Sequence, residues 1–222
     1  MKRIDQRRNF GLLFVICAML MAPGCVTQDK IKKANGHYQE GLASIEGDRQ
    51  QAFVSFQKAI QLNPKHKEAH YSLGHLYALQ GRYDDAEREF QTAAHIDGNY
   101  SEAHNYLGQV YARQKRWPQA IRSYRRALEN PLYATPDIVR FNLGVALAQE
   151  REYDAAAQAF EDALLVSPSS VPAPAIYLEL GRVYAKIGDD AKARDALSRV
   201  SGLDKEGSYA VEAAKIMERV KP

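Results

Sequence analysis

Apolar and small residues recur along this chain in two superimposed rhythms. The faster one is helical. Between His70 and Ala93, Leu73, Gly74, Leu76 and Tyr77 fall on one helix face, and Tyr83, Ala86, Phe90 and Ala93 on a second, with Gly81 separating the two runs. The slower rhythm is a repeat of that whole pattern. Leu107, Gly108, Tyr111, Ala120, Tyr124 and Ala127 carry the same template 34 residues further on. Four aligned columns run down the sequence: Gly41, Gly74, Gly108, Gly144 and Gly181; Ala52, Ala86, Ala120, Ala156 and Ala193; Phe56, Phe90, Tyr124, Phe160 and Leu197; and Ala59, Ala93, Ala127, Ala163 and Val200. A helix pair of this length cannot bury its apolar face alone, so neighbouring pairs must stack. The pattern predicts an all-α fold, a right-handed superhelical solenoid of about five helix-turn-helix units over residues 34–205. The units are 34–66, 67–100, 101–136, 137–173 and 174–205. Residues 206–222 read as a capping helix that starts at Ser208 and turns Tyr209, Ala213, Ile216, Met217 and Val220 to one side.

The Leu-Gly pair, the Tyr three residues on, the Ala-x3-aromatic-x2-Ala run and the closing Pro64 and Pro168 together resemble the tetratricopeptide repeat. The departures from that template mark two insertions. One is Asn130–Pro136, with two extra residues, and the other is Ser167–Pro174. Prolines at 131 and 136 predict an extended loop there, with Leu132, Tyr133 and Pro136 as candidate docking residues.

The N-terminus follows a different logic. Lys2, Arg3, Arg7 and Arg8 precede an apolar run, Phe10–Met21, that is short for a membrane span and right for a secretory signal. Ala22-Pro23-Gly24-Cys25 then resembles the lipobox of a bacterial lipoprotein. The resemblance implies a signal peptide over 1–24, lipidation of Cys25 and a polar tether over 25–33. Val26 in place of Asp implies sorting to the outer membrane, facing the periplasm. Of 30 basic and 27 acidic residues, cleavage would leave 26 of each, so the mature chain is neutral and lacks the field that nucleic acid binding needs. Both cysteines, Cys17 and Cys25, fall in or beside the signal, and the fold must be held by burial alone.

Catalytic and metal chemistry find little support. His66 and His70 stand four residues apart, a metal-sharing spacing on a helix, but His66 follows Asn63-Pro64 and reads as preceding the helix. His104 occupies in the third unit the position of His70 in the second, which marks both as packing residues. The acid pairs Asp84-Asp85 and Glu161-Asp162 read as solvated helix faces. No enzyme activity, cofactor, metal or small-molecule substrate is expected.

What remains is the concave face, formed by the first helix of each unit. Counting from the aligned glycines, it presents Tyr71, His75 and Leu79; Asn105, Gln109 and Arg113; Phe141, Val145 and Gln149; and Leu178, Arg182 and Lys186. Such a mixed apolar and amide surface suits an extended peptide or a partner helix. Leu132-Tyr133, Pro136 and Arg140-Phe141-Asn142-Leu143-Gly144 resemble the junction between the third and fourth repeats in the pilotins of type IV pilus secretins, the PilF/PilW family. That resemblance implies a lipoprotein that binds secretin subunits and carries them to the outer membrane. A scaffold of the NlpI type, docking cell-wall hydrolases and proteases, is the competing resemblance, and a part of the outer-membrane β-barrel assembly machinery is a third.

Overall fold

The computed structural model describes residues 27–205 and 207–221. Among them the chain forms eleven helices and no strand: α1 (Gln28–Ser44), α2 (Arg49–Leu62), α3 (Lys67–Leu79), α4 (Tyr83–Ile96), α5 (Ser101–Arg113), α6 (Trp117–Ala127), α7 (Pro136–Gln149), α8 (Tyr153–Leu164), α9 (Ala173–Ile187), α10 (Asp190–Leu203) and α11 (Ser208–Met217). Each helix packs on the next in chain order, giving five antiparallel pairs followed by α11. The odd helices α3, α5, α7 and α9 also touch their odd neighbours. In a curved two-layer stack the layer whose members approach most closely is the concave one, so the odd helices line the groove.

The four sequence columns are the core. Every alanine of the two Ala columns is fully buried, and so are Phe56, Phe90, Phe160 and Leu197, with Tyr124 at 2% exposure. The glycine column exists because these large side chains lie against it. A Cβ on Gly108 would sit 2.5 Å from Tyr124 Cε1, and one on Gly144 2.6 Å from Phe160 Cε1, whereas at Gly74 the nearest atom of Phe90 is 3.0 Å away. Helix propensity alone favours alanine over glycine by about 1 kcal/mol, and overpacking a core costs about 1–3 kcal/mol. Gly108→Ala is therefore expected to lower stability by about 1 kcal/mol while Gly74→Ala stays near neutral, a contrast readable from urea unfolding midpoints.

Turns between the helices of a pair repeat one device. Gly81, Lys115, Arg151 and Gly188 occupy equivalent places with φ of 73°, 58°, 65° and 89°. Helix starts are capped by side chains where the sequence offers them: Asp48 Oδ1 accepts from Gln51 N, and Asp189 Oδ1 from Lys192 N. His66 precedes α3 as expected, its Nδ1 accepting from Ala69 N at 3.3 Å.

Five boundaries differ from the sequence reading. α1 starts at Gln28 with Thr27 as its cap, so the stretch read as tether through Lys33 is mostly helix. Pro136 is not a loop residue but the first residue of α7, where a missing N–H costs nothing. Ala173 and Pro174 likewise open α9. Ser208 does not cap α11. Asp204 does, its Oδ2 accepting from Tyr209 N and Ala210 N at 3.0 and 3.3 Å, and Gly207 is needed because a Cβ there would collide with that carboxylate. α11 ends at Met217, short of the capping helix read through the C-terminus; Ala213 is buried with Tyr209, Ile216 and Met217 against the core, and Val220 is buried beyond the helix end.

Candidate partner-binding groove

The second and third units bring four of the sequence-derived groove residues around one cleft of about 390 Å³. His75 and Leu79 come from α3, Gln109 and Arg113 from α5, and the remaining wall is Ala78, Tyr83, Tyr106 and Val110. Leu79 is 56% exposed at its lip, a large apolar side chain left in water. Tyr106 is the floor. Its ring meets His75 edge-on at 5.2 Å and Tyr71 edge-on at 5.4 Å, and lies 5.7 Å from Phe90. Tyr71 in turn packs on Phe90 and Tyr100. This aromatic cluster anchors the groove wall to the core.

Electrostatics leave the cleft with one polarity. Burial, reinforced by the charge of Arg49, holds the His75 imidazole below its usual value, so His75 is neutral at pH 7. Burial also pushes the Tyr71 hydroxyl up, with Tyr106 adding to the effect. Arg113 is exposed and makes no ion pair among the described residues, and no acidic side chain lines the cleft. Neighbouring arginines are spent elsewhere: Arg116 on Glu87 at 2.6 Å, and Arg82 on Asp85.

Two predicted groove residues are not surface residues. Asn105 is buried, its Nδ2 donating to Tyr133 Oη at 3.2 Å, while its Oδ1 accepts from Gln109 Nε2 at 3.4 Å. The inserted loop thus folds Tyr133 back over α5. Leu178 is buried in the core. One turn on, Arg182 bridges Glu179 at 2.8 Å and Glu212 of α11 at 3.2 Å, because the last helix covers this end of the groove. Phe141 is half-buried with its ring 5.6 Å from Phe160, so it is part support and part surface. Val145 is half-buried, and Gln149 and Lys186 are exposed further along the groove. Of the loop residues, Leu132 stands 89% exposed and Tyr133 is tucked in. Sequence counting missed Tyr83 and Tyr106. The sign that Tyr106 differs is its column, which holds Ser72 in the second unit and Asn142 in the fourth.

The second insertion is anchored differently. Asp137, in the first turn of α7, is 1% exposed, and its Oδ2 accepts from Ser170 N at 2.5 Å, Val171 N at 3.1 Å and Ser169 Oγ at 3.2 Å. Burial would raise this carboxyl; the hydrogen bonds it accepts outweigh that and hold it below the ordinary carboxylate range. The histidine pair reads as packing. His70 Nε2 lies 3.0 Å from Pro64 O, and His104 Nε2 lies 3.0 Å from Gly98 O, the same bond in successive units. Among the described residues no three His, Cys, Asp or Glu side chains come together as a metal site, and no helix is long and apolar enough to cross a membrane. Cys25 and the segment before it lie outside the described residues.

Helix pairs stacked on a Gly/Ala/aromatic column, with a groove on the inner layer, define a repeat scaffold for holding other proteins. Two family models, both of the tetratricopeptide repeat, match the chain, one over residues 43–105 and 147–217, the other over 80–137 and 107–170, and the chain belongs to that family. Its fold is similar to that of PilF of Pseudomonas aeruginosa, at a TM-score of 0.70 and 22% identity over 86% of this chain and 87% of that one. PilW, a widely conserved type IV pilus biogenesis factor, is similar at 0.69 and 22% over 83% and 86%. YrrB, a repeat protein with an unusual peptide-binding site, is similar at 0.69 and 24% over 84% and 90%.

Proposed function

We propose that this chain is a lipid-anchored, non-enzymatic adaptor that binds a secretin subunit and supports its localisation and assembly in the outer membrane during type IV pilus biogenesis. The observation that carries the reading is the order of parts along one short chain. A lipobox-like Cys25 stands directly ahead of five repeat units and a cap, and those units fold over most of their length like PilF and PilW. The His75–Arg113 cleft supports a groove-bound partner, and no part of the arrangement calls for turnover.

Because α1 begins at Gln28, three residues after Cys25, a diacylated cysteine would hold the first repeat against the bilayer rather than at the end of a long tether. Cys25→Ser is expected to leave the protein soluble in the periplasm or unprocessed. Persistence in outer-membrane fractions would remove the anchor from the account. A deletion strain tests the function: twitching should be lost, with secretin multimers stranded in the inner membrane. Intact pili with altered cell-wall turnover would favour a scaffold of the NlpI type.

A further inference from the structure

The apolar side chains most fully left in water lie along one edge of the stack. Leu132 is 89% exposed, Leu165 82% and Leu203 58%, the three highest values for large apolar side chains among the described residues. They stand at three successive connections, α6 to α7, α8 to α9 and α10 to α11. Because the helices alternate in direction, every connection from an even helix to the next odd one falls at the edge where the odd helices begin. α1 begins at that edge too. Gln28 follows Cys25 by three residues, so the two lie within about 10 Å of each other. On the reading that Cys25 carries the lipid, we propose that this edge rests on the membrane, with Leu132, Leu165 and Leu203 inserted among the acyl chains just beneath the headgroups.

Charge separates this edge from the opposite one. Residues 130–136 and 163–178 hold no Asp, Glu, Lys, Arg or His, whereas each turn at the other edge carries charge: Asp48, Arg82, Lys115, Arg151 and Asp189 stand in successive units. An uncharged loop enters the headgroup boundary without stripping water from an ion. Lys30, Lys65 and Lys205 are exposed at the anchor edge and make no ion pair among the described residues, which suits them to lipid phosphates. Asp29, Asp97 and Glu129 there are paired with Lys33, Lys67 and Arg126. The leucines also stand on fixed backbone. Leu132 N donates to Asn130 Oδ1 at 3.0 Å, and Tyr133 is turned inward to Asn105, which leaves Leu132 facing out. Asp137 ties down Ser170 and Val171 in the loop that follows Leu165. Leu203 ends α10, directly before the Asp204 that caps α11. Loops already ordered lose little freedom on insertion.

The test uses the full-length lipidated protein in vesicles of phosphatidylethanolamine and phosphatidylglycerol. Once the signal is removed the chain has no cysteine besides Cys25, so Leu132→Cys, Leu165→Cys, Leu203→Cys and, on the opposite edge, Arg151→Cys each give one site for a fluorophore. All four positions are exposed, and unchanged thermal melting confirms that each variant is folded. Probes at 132, 165 and 203 should be quenched by nitroxides on the acyl chains and shielded from iodide in the water, while the probe at 151 shows the reverse. Leu132→Glu with Leu165→Glu should cut the nitroxide quenching at 203 about tenfold, because two apolar side chains no longer gain by insertion. Probes at 132 and 165 open to iodide, on a protein shown by mass to carry its lipid, would overturn the inference and leave the anchor standing. Shielding from iodide without nitroxide quenching would put protein rather than lipid over the leucines and overturn it as well. Equal nitroxide quenching at 151 would mean that neither edge is preferred and would defeat it. A Cys25 without lipid would defeat the anchored reading and this inference with it.

Discussion

Replacing Phe160 by alanine should cost about 3–5 kcal/mol and unfold the C-terminal half of the solenoid under conditions where the wild type is stable. Phe160 is fully buried, fills the space opposite Gly144, and supports Phe141 on the groove side. Deleting its ring removes the joint between the two helices of one unit and the face on which the next unit stacks. A repeat array depends on nearest-neighbour interfaces, so the loss should spread to α9 and α10 before it reaches α1 and α2. Hydrogen exchange resolved by segment reads this directly: protection should fall first in residues 153–203 and last in residues 28–62. Uniform loss would show that the whole array unfolds as one unit.

Asp137→Ala is expected to cost about 3 kcal/mol through a different mechanism. The carboxylate is buried, and its removal takes the acceptor from Ser170 N, leaves Val171 N with Ser169 Oγ alone, and frees the loop between α8 and α9. The pH dependence identifies the cause. Because the folded-state pKa lies below the unfolded one, the stabilisation is fully present above the unfolded value, near pH 4, and is lost as pH falls through the folded value. The gap between wild type and Asp137→Ala should therefore be constant from pH 5 to 8 and narrow below about pH 4. A gap independent of pH would mean that shape, not charge, is what Asp137 contributes.

Packing was the readable part of this molecule. Gly108 and Tyr124, or Gly144 and Phe160, are legible from sequence because each contact recurs in every unit and so writes a column. The groove was legible only as a register. Counting from the glycines places Asn105 and Leu178 on the concave face, but not what lies over them. Tyr133 arrives from an inserted loop and α11 from beyond the last full unit, and neither belongs to the repeat. Asp137 was missed for the same reason, since its partners sit in the second of the two loops that depart from the template. His75, Leu79, Gln109 and Arg113 were found because, among the described residues, nothing outside the repeat covers the cleft they line.

Binding of the partner in the groove is tested most directly by site-specific photo-crosslinking. A photoreactive side chain would be placed in the full-length protein at Leu79, at Arg122 on the exposed side of α6, and at Leu132 in the loop. The proposed partner, a secretin subunit, should crosslink strongly from position 79 and weakly or not at all from 122 and 132. Strong crosslinks from 122 or 132 with none from 79 would contradict the concave groove as the binding site.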